Sequence, residues 1–249
     1  MRKKIVAGNW KMNGTYTESI TLFNALRSSE NEFPPNVEVM VAPPFLYLQD
    51  LHKIGSSRIK VISQNCSSKS KGAFTGEISA AMLRSISIDC SIVGHSERRL
   101  IYKESISDIS EKVKQLLSEN MQVIFCVGEQ LEERKSGNHF KVIDEQLSSI
   151  YSIDPSLFSK VVVAYEPVWA IGTGETASPE QAQEMHSFIR SKLREVYANA
   201  ADQTRILYGG SVKPDNAVEL FMKADVDGGL VGGAALQASD FIKIIQAAG

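Results

Sequence analysis

The feature that most constrains this chain is a recurrence: eight short Val- and Ile-rich runs, each followed by a stretch with helical spacing. The runs cover residues 5–8, 37–42, 59–63, 90–93, 123–127, 161–165, 205–208 and 226–231. Most lack polar alternation, as expected of strands covered on both faces in a parallel sheet. The helix-like stretches cover residues 17–29, 45–54, 78–85, 105–119, 138–151, 179–198, 214–222 and 239–248. Spread over 249 residues this gives about 31 residues per unit, the size of one βαβ step. Regular alternation leaves a closed barrel or an open doubly wound sheet, and eight even units without a large insertion favour the barrel. The expected fold is therefore α/β, a (β/α)8 barrel. No low-complexity or Pro/Gly/Ser-rich linker interrupts it, so residues 1–249 read as a single domain.

Local signals agree. Ser178-Pro179-Glu180 offers an N-cap, a first-turn proline and an early acid, and Pro214 and Asp215 do much the same after Lys213. In 105–119, Ile106, Ile109, Val113, Leu116 and Leu117 share a face and are expected to leave Glu111, Lys112 and Lys114 to solvent. The connection from Asn65 to Ile78 is long, polar and turn-rich yet carries Phe74; it is either a mobile surface loop or a segment that docks on another subunit.

Composition removes whole classes of partner. With 27 Lys plus Arg against 29 Asp plus Glu, no broad basic face for nucleic acid or an anionic membrane is expected. The basic N-terminus lacks the apolar stretch of a signal peptide, and no apolar run is long enough to span a bilayer, so the expected location is cytoplasmic. Cys66, Cys90 and Cys126 lie in or beside apolar runs without metal spacing and read as reduced, buried thiols. There is no P-loop, G-x-S-x-G or HExxH sequence, and Asp225 and Asp227 open the eighth strand at the wrong end for a barrel metal site. Neither metal nor cofactor is expected, and the chemistry falls to acid–base groups.

Ligands of parallel α/β folds sit at the carboxyl ends of the strands. Asn9 and Lys11 follow strand one, where a continuing pleat would send both side chains to one side; His95 and Glu97 follow strand four; Glu166 follows strand six. Gly209-Gly210-Ser211 and Gly232-Gly233 end strands seven and eight, where glycines let backbone N–H groups approach a phosphate. Glu166, between an apolar strand and Pro167-Val168-Trp169, would shed hydration as a general base does; a salt-bridged strand-end glutamate is the plain alternative. His95 beside Ser96-Glu97 could sit at a short helix start whose dipole disfavours an imidazolium, or simply pack. Arg98, Arg99 and Glu104 read as ion pairs holding that loop. Gly172-Thr173-Gly174-Glu175-Thr176-Ala177 fits the dinucleotide pattern formally, but residues 166–171 separate it from the strand, and it reads better as a lid.

Taken together, Asn9-Trp10-Lys11, Gln64-Asn65, Gly72-Ala73-Phe74-Thr75-Gly76-Glu77, Gly94-His95-Ser96-Glu97-Arg98-Arg99, Cys126-Val127-Gly128-Glu129, Tyr165-Glu166-Pro167-Val168-Trp169, Tyr208-Gly209-Gly210-Ser211 and Gly229-Leu230-Val231-Gly232-Gly233-Ala234 resemble the triosephosphate isomerase family, in order and over nearly the whole chain. The resemblance implies a TIM barrel that interconverts dihydroxyacetone phosphate and D-glyceraldehyde 3-phosphate in glycolysis and gluconeogenesis, by metal-free proton transfer through an enediolate. It implies Glu166 as base, neutral His95 as electrophile, Lys11 and Asn9 stabilising charge, and Glu97 supporting Lys11. Phosphate would rest near Gly172, Ser211, Gly232 and Gly233, under a lid that includes Pro167, Val168, Trp169, Glu175, Thr176 and Ala177. Phe74, Thr75 and Glu77 would reach a neighbouring subunit beside Asn13 and Gly14, giving a homodimer. Glu175 stands where the family usually has lysine, and Ala235 where it has serine. A non-catalytic phosphosugar-binding barrel and another phosphate-handling barrel enzyme are the alternatives.

Overall fold

The structure is a computed structural model that describes residues 2–171 and 176–249. Its eight strands are β1 (Lys4–Asn9), β2 (Val37–Ala42), β3 (Ile59–Val61), β4 (Cys90–Val93), β5 (Gln122–Val127), β6 (Val161–Tyr165), β7 (Ile206–Tyr208) and β8 (Gly228–Val231). They form one parallel sheet in the order β3-β2-β1-β8-β7-β6-β5-β4. Its two ends meet: the Ser63 N–H donates to Cys90 O at 3.0 Å and the Ile92 N–H to Ser63 O at 2.9 Å. This closes a (β/α)8 barrel.

Between the strands lie α1 (Tyr16–Ser28), α2 (Leu48–Ile54), α3 (Ala80–Ser85), α4 (Ser96–Leu100), α5 (Ile106–Ser118), α6 (Leu131–Lys135), α7 (His139–Leu147), α8 (Pro179–Tyr197) and α9 (Ala217–Phe221), and α10 (Ala238–Ala247) follows β8. The strands are buried on both faces because the barrel divides its core in two. Ile5, Ala7, Met40, Ala42, Ile92, Ile124, Val162, Ala164 and Leu207 fill the barrel, while Val6, Val39, Val41, Val123, Val163 and Ile206 face the helices. Alternate residues of each strand serve opposite cores, which removes the polar alternation.

Several helix limits differ from expectation. Residues 45–47 form a 3-10 turn before α2. The short helices α4 and α6 are too brief for a periodic signal. At residues 214–222 only α9 is helical, because Asn216 Oδ1 accepts the Lys213 N–H and turns residues 213–216 into a separate loop. Ser178 caps α8 as its sequence suggests, with Pro179 in the first turn.

Lys112 corrects the expectation of a solvated face. It is 5% exposed, and its Nζ donates to Asn65 Oδ1 at 2.9 Å and to Glu104. α5 thus packs on the strands by one side and on the loop after β3 by the next, whereas Lys114 and Glu111 pair at the surface. Arg98 pairs with Glu104 as expected, but Arg99 does not join them; it donates to Gly94 O and Cys126 O, each at 2.8 Å. At the amino end of the barrel Asp225 and Asp227 receive Arg190, itself 1% exposed. Cys66, Cys90 and Cys126 are free thiols and buried. Among the described residues no helix is long and apolar enough to cross a membrane.

Candidate active site

The carboxyl ends of β1, β4, β6, β7 and β8 converge on a cavity of about 220 Å³ lined by Asn9, Lys11, His95, Glu166, Gly209, Gly210, Ser211, Lys213, Leu230, Gly232 and Gly233, with Ile171, Val212 and Ala234. A larger hollow of about 430 Å³ lies between the start of β2 and β3 and the α2 region, away from these side chains. Size alone does not select the site; the convergence of an acid, an imidazole, an amine and glycine turns does.

Asn9 ends β1 and is 5% exposed. Lys11 does not continue the pleat, as the sequence suggested; it has φ 51°, a left-handed conformation costly for a residue with a side chain. Three contacts hold it there. Asn9 Oδ1 accepts its N–H at 3.0 Å, Gln64 Nε2 donates to its C=O at 2.8 Å, and its Nζ lies 2.6 Å from Glu97 Oε1. Lys11 and Asn9 share the cavity through this turn rather than through strand alternation. Gln64 holds this turn through partners distant in sequence, the Lys11 carbonyl after β1 and the Ala42 carbonyl at the end of β2, so its part is invisible in the sequence.

His95 is itself the N-cap of α4. Its Nδ1 accepts the Glu97 N–H at 3.2 Å, so Nδ1 carries a lone pair and the ring proton of the neutral imidazole sits on Nε2. The Glu97 carboxylate, at 3.7 Å from Nδ1, is beyond hydrogen-bond reach. Nε2 lies 3.1 Å from Glu166 Oε1.

Glu166 is 1% exposed. Its Oε2 accepts the Ser96 backbone N–H at 2.7 Å, so α4 presents both the imidazole and a peptide donor to it. Room for the glutamate comes from glycines: a Cβ at Gly209 would lie 2.8 Å from Glu166 Cγ, and one at Gly128 would lie 1.8 Å from Glu166 O. Behind it, burial pushes the Cys126 thiol well up, with the Glu166 charge acting the same way. Sequence reasoning placed Gly209 in a phosphate turn and Ser96 at a helix start, and gave neither of them, nor Gly128, a contact with Glu166.

At the other end of the cavity, a 3-10 turn over Gly233–Leu236 follows β8, leaving the Gly233 and Ala234 N–H groups without intrahelical acceptors. Among the described residues no atom lies within 4 Å of where a Cβ of Gly233 would stand. With Ser211 these groups line the same cavity as Glu166 and His95, and free N–H groups of this kind suit an anion.

Pro167, extended, leads from Glu166 into a 3-10 turn over Val168–Ala170, and Trp169 Nε1 donates to the fully buried Glu129 at 2.9 Å, as does the Tyr165 hydroxyl. Burial raises the Glu129 carboxyl above its ordinary range, while those two donors pull it back. Thr176 is exposed and Ala177 is buried. Gly172 and Glu175 lie outside the described residues. Ala235, at the departure from the serine pattern, is buried against the position of Gly8.

Phe74, Thr75 and Glu77 stand out from the barrel on the turn-rich loop after β3, with Phe74 45% exposed; Asn13 and Gly14 are exposed after β1. Met12, Phe45 and Tyr102 line a groove of about 130 Å³ that reaches Lys11 and His95. Among the described residues no three His, Cys, Asp or Glu side chains gather to hold a metal ion.

The triosephosphate isomerase family profile matches residues 4–248. The triosephosphate isomerase of Flavobacterium johnsoniae is 53% identical over 250 residues, covering 99% of this chain and 100% of that protein. That of Bacteroides fragilis is 51% identical over 99% of both chains, and that of Chlorobium phaeobacteroides 48% identical over 100% of both.

Proposed function

The chain belongs to the triosephosphate isomerase family and interconverts dihydroxyacetone phosphate and D-glyceraldehyde 3-phosphate, and we propose that Glu166, His95, Lys11 and Asn9 carry out the reaction. The observation that carries these roles is the meeting of Glu166 Oε1 with His95 Nε2 at 3.1 Å in a cavity whose far end is glycine-lined. The phosphate rests on the backbone around Ser211, Gly232 and Gly233, which brings the carbonyl and hydroxyl carbons to the acid–base end. Glu166 removes the proton from the hydroxyl-bearing carbon beside the carbonyl. The charge that develops on the carbonyl oxygen is met by His95 Nε2–H and by Lys11, which Asn9, Gln64 and Glu97 hold in place. Glu166 then returns its proton to the former carbonyl carbon while a proton passes between the two oxygens, which completes the isomerisation.

Binding and base release are coupled. Glu166 accepts from both Ser96 and His95. A substrate carbonyl that takes over the His95 N–H leaves Oε1 free to receive the carbon-bound proton. The segment 167–177 acts as the lid that keeps water from the enediolate. Its described ends have anchors, Trp169 on Glu129 and Ala177 in the core.

The proposal extends to assembly. Two copies form a symmetric homodimer in which the loop bearing Phe74, Thr75 and Glu77 enters the partner's groove beside Asn13 and Gly14, covering exposed Met12, Ile101 and Tyr102. Residues 1–249 act as one domain, and the three buried free thiols suit the cytoplasm. A coupled assay with D-glyceraldehyde 3-phosphate tests the base: Glu166→Gln should nearly abolish turnover of a folded protein. Activity like that of the unaltered chain would remove Glu166 from the mechanism.

A further inference from the structure

We infer that Gln146, on α7, is a positioning residue for Glu166 and acts through the backbone of Gly128. The inference rests on Glu166 being the base. Past the end of β5 the chain keeps its parallel pairing with the segment that carries Glu166: the Glu166 N–H donates to Val127 O at 2.7 Å and the Val168 N–H to Glu129 O at 3.0 Å. In such a ladder the intervening residue turns both its peptide groups the other way. For Gly128 that is the side where β4 has already ended and the chain has left as α4.

The Gln146 amide takes the place of the missing strand. Its Oε1 accepts the Gly128 N–H at 2.9 Å and its Nε2 donates to Gly128 O at 2.8 Å. Both peptide groups are satisfied by one planar side chain, which therefore sets the tilt of this peptide. Gly128 in turn lies against Glu166 more closely than any other residue type allows, since a Cβ there would stand 1.8 Å from Glu166 O and 3.1 Å from Glu166 Cβ. A tilt at 128 must therefore move the Glu166 backbone. The carboxylate it carries has a Ser96 contact at 2.7 Å and a His95 contact at 3.1 Å to keep. Gln146 itself is absent from the lining of the reaction cavity and lines instead a small neighbouring hollow with Ser96, Gly128 and Val168.

The test uses the full chain with two substitutions. Gln146→Met keeps the reach and removes both hydrogen bonds; its kcat should fall by about ten- to a hundredfold, the range expected for a base displaced by a fraction of an ångström to one ångström. KM and inhibition by inorganic phosphate should stay within about twofold, because the Ser211 and Gly233 end does not lean on Gly128. Combined with Glu166→Asp, which already displaces the base, the loss should be less than the product of the two single losses. Gln146→Glu covers the case in which the methionine variant does not fold. Its protonated carboxyl reproduces the donor–acceptor pair and its ionised form does not, so its kcat relative to the unaltered chain should rise as pH is lowered. A kcat unchanged in Gln146→Met, full multiplicativity with Glu166→Asp, or a pH-independent ratio for Gln146→Glu would each overturn the inference. Activity surviving Glu166→Gln would instead refute the base itself, so the two failures are distinguishable.

Discussion

Gly209→Ala puts the glycine-made space around the base to a quantitative test. The added Cβ would stand 2.8 Å from Glu166 Cγ and 3.1 Å from Tyr165 O. Carbon pairs settle at about 3.5–4.0 Å, so one of the two must retreat by roughly 1 Å. Tyr165 is held, because the Gly209 N–H donates to its carbonyl at 2.7 Å and β6 is paired on both sides. The glutamate side chain is the movable partner. Its displacement opens the contacts with Ser96 and His95 and carries the carboxylate off the reacting carbon. A misplacement of about 1 Å costs on the order of a hundredfold in kcat, equivalent to about 2.7 kcal/mol of barrel-rim geometry lost in the transition state. Overpacking adds about 1–3 kcal/mol of destabilisation, leaving a folded protein to assay. Steady-state kinetics in the coupled assay should show the loss in kcat, with inhibition by inorganic phosphate little changed. Gly233→Ala should do the reverse, raising KM and weakening phosphate inhibition, since its Cβ meets no atom of the described residues within 4 Å and would project toward the proposed phosphate site. Full kcat in a folded Gly209→Ala would refute the claim that this glycine sets the base.

Two further outcomes are expected. Burial pushes His186 down to about 4, Arg190 acting the same way and Asp225 opposing. The unfolded chain therefore binds the extra proton from near its ordinary value of about 6.5 downward, and stability present above that pH falls by about 3 kcal/mol as pH drops to 4. At fixed protein concentration, denaturant unfolding of His186→Gln should show a shallower loss between pH 6.5 and 4.5; parallel curves would remove His186 from the acid response. Phe74→Asp should turn the dimer into a monomer in sedimentation at micromolar concentration, and a monomeric unaltered protein would refute the assembly.

The sequence by itself determined the barrel class and the rim where chemistry gathers. Eight apolar runs, most of them without alternation, call for strands buried on both faces, which a parallel sheet wrapped in helices provides. Residues placed directly after those runs, namely Asn9, His95, Glu166, Ser211, Gly232 and Gly233, had to reach the same rim. Periodicity reports burial, however, and not the identity of a neighbour. Only closure of the barrel, through Ser63 between β3 and β4, decided who meets whom. It put Lys11 against Glu97 across 86 residues and Ser96 against Glu166 across 70. It buried Lys112 under the β3 loop and brought Arg99 to the Cys126 carbonyl. The contacts of Lys11 with Glu97, Ser96 with Glu166 and Lys112 with Asn65 join residues from different units, a property that no single unit of about 31 residues encodes.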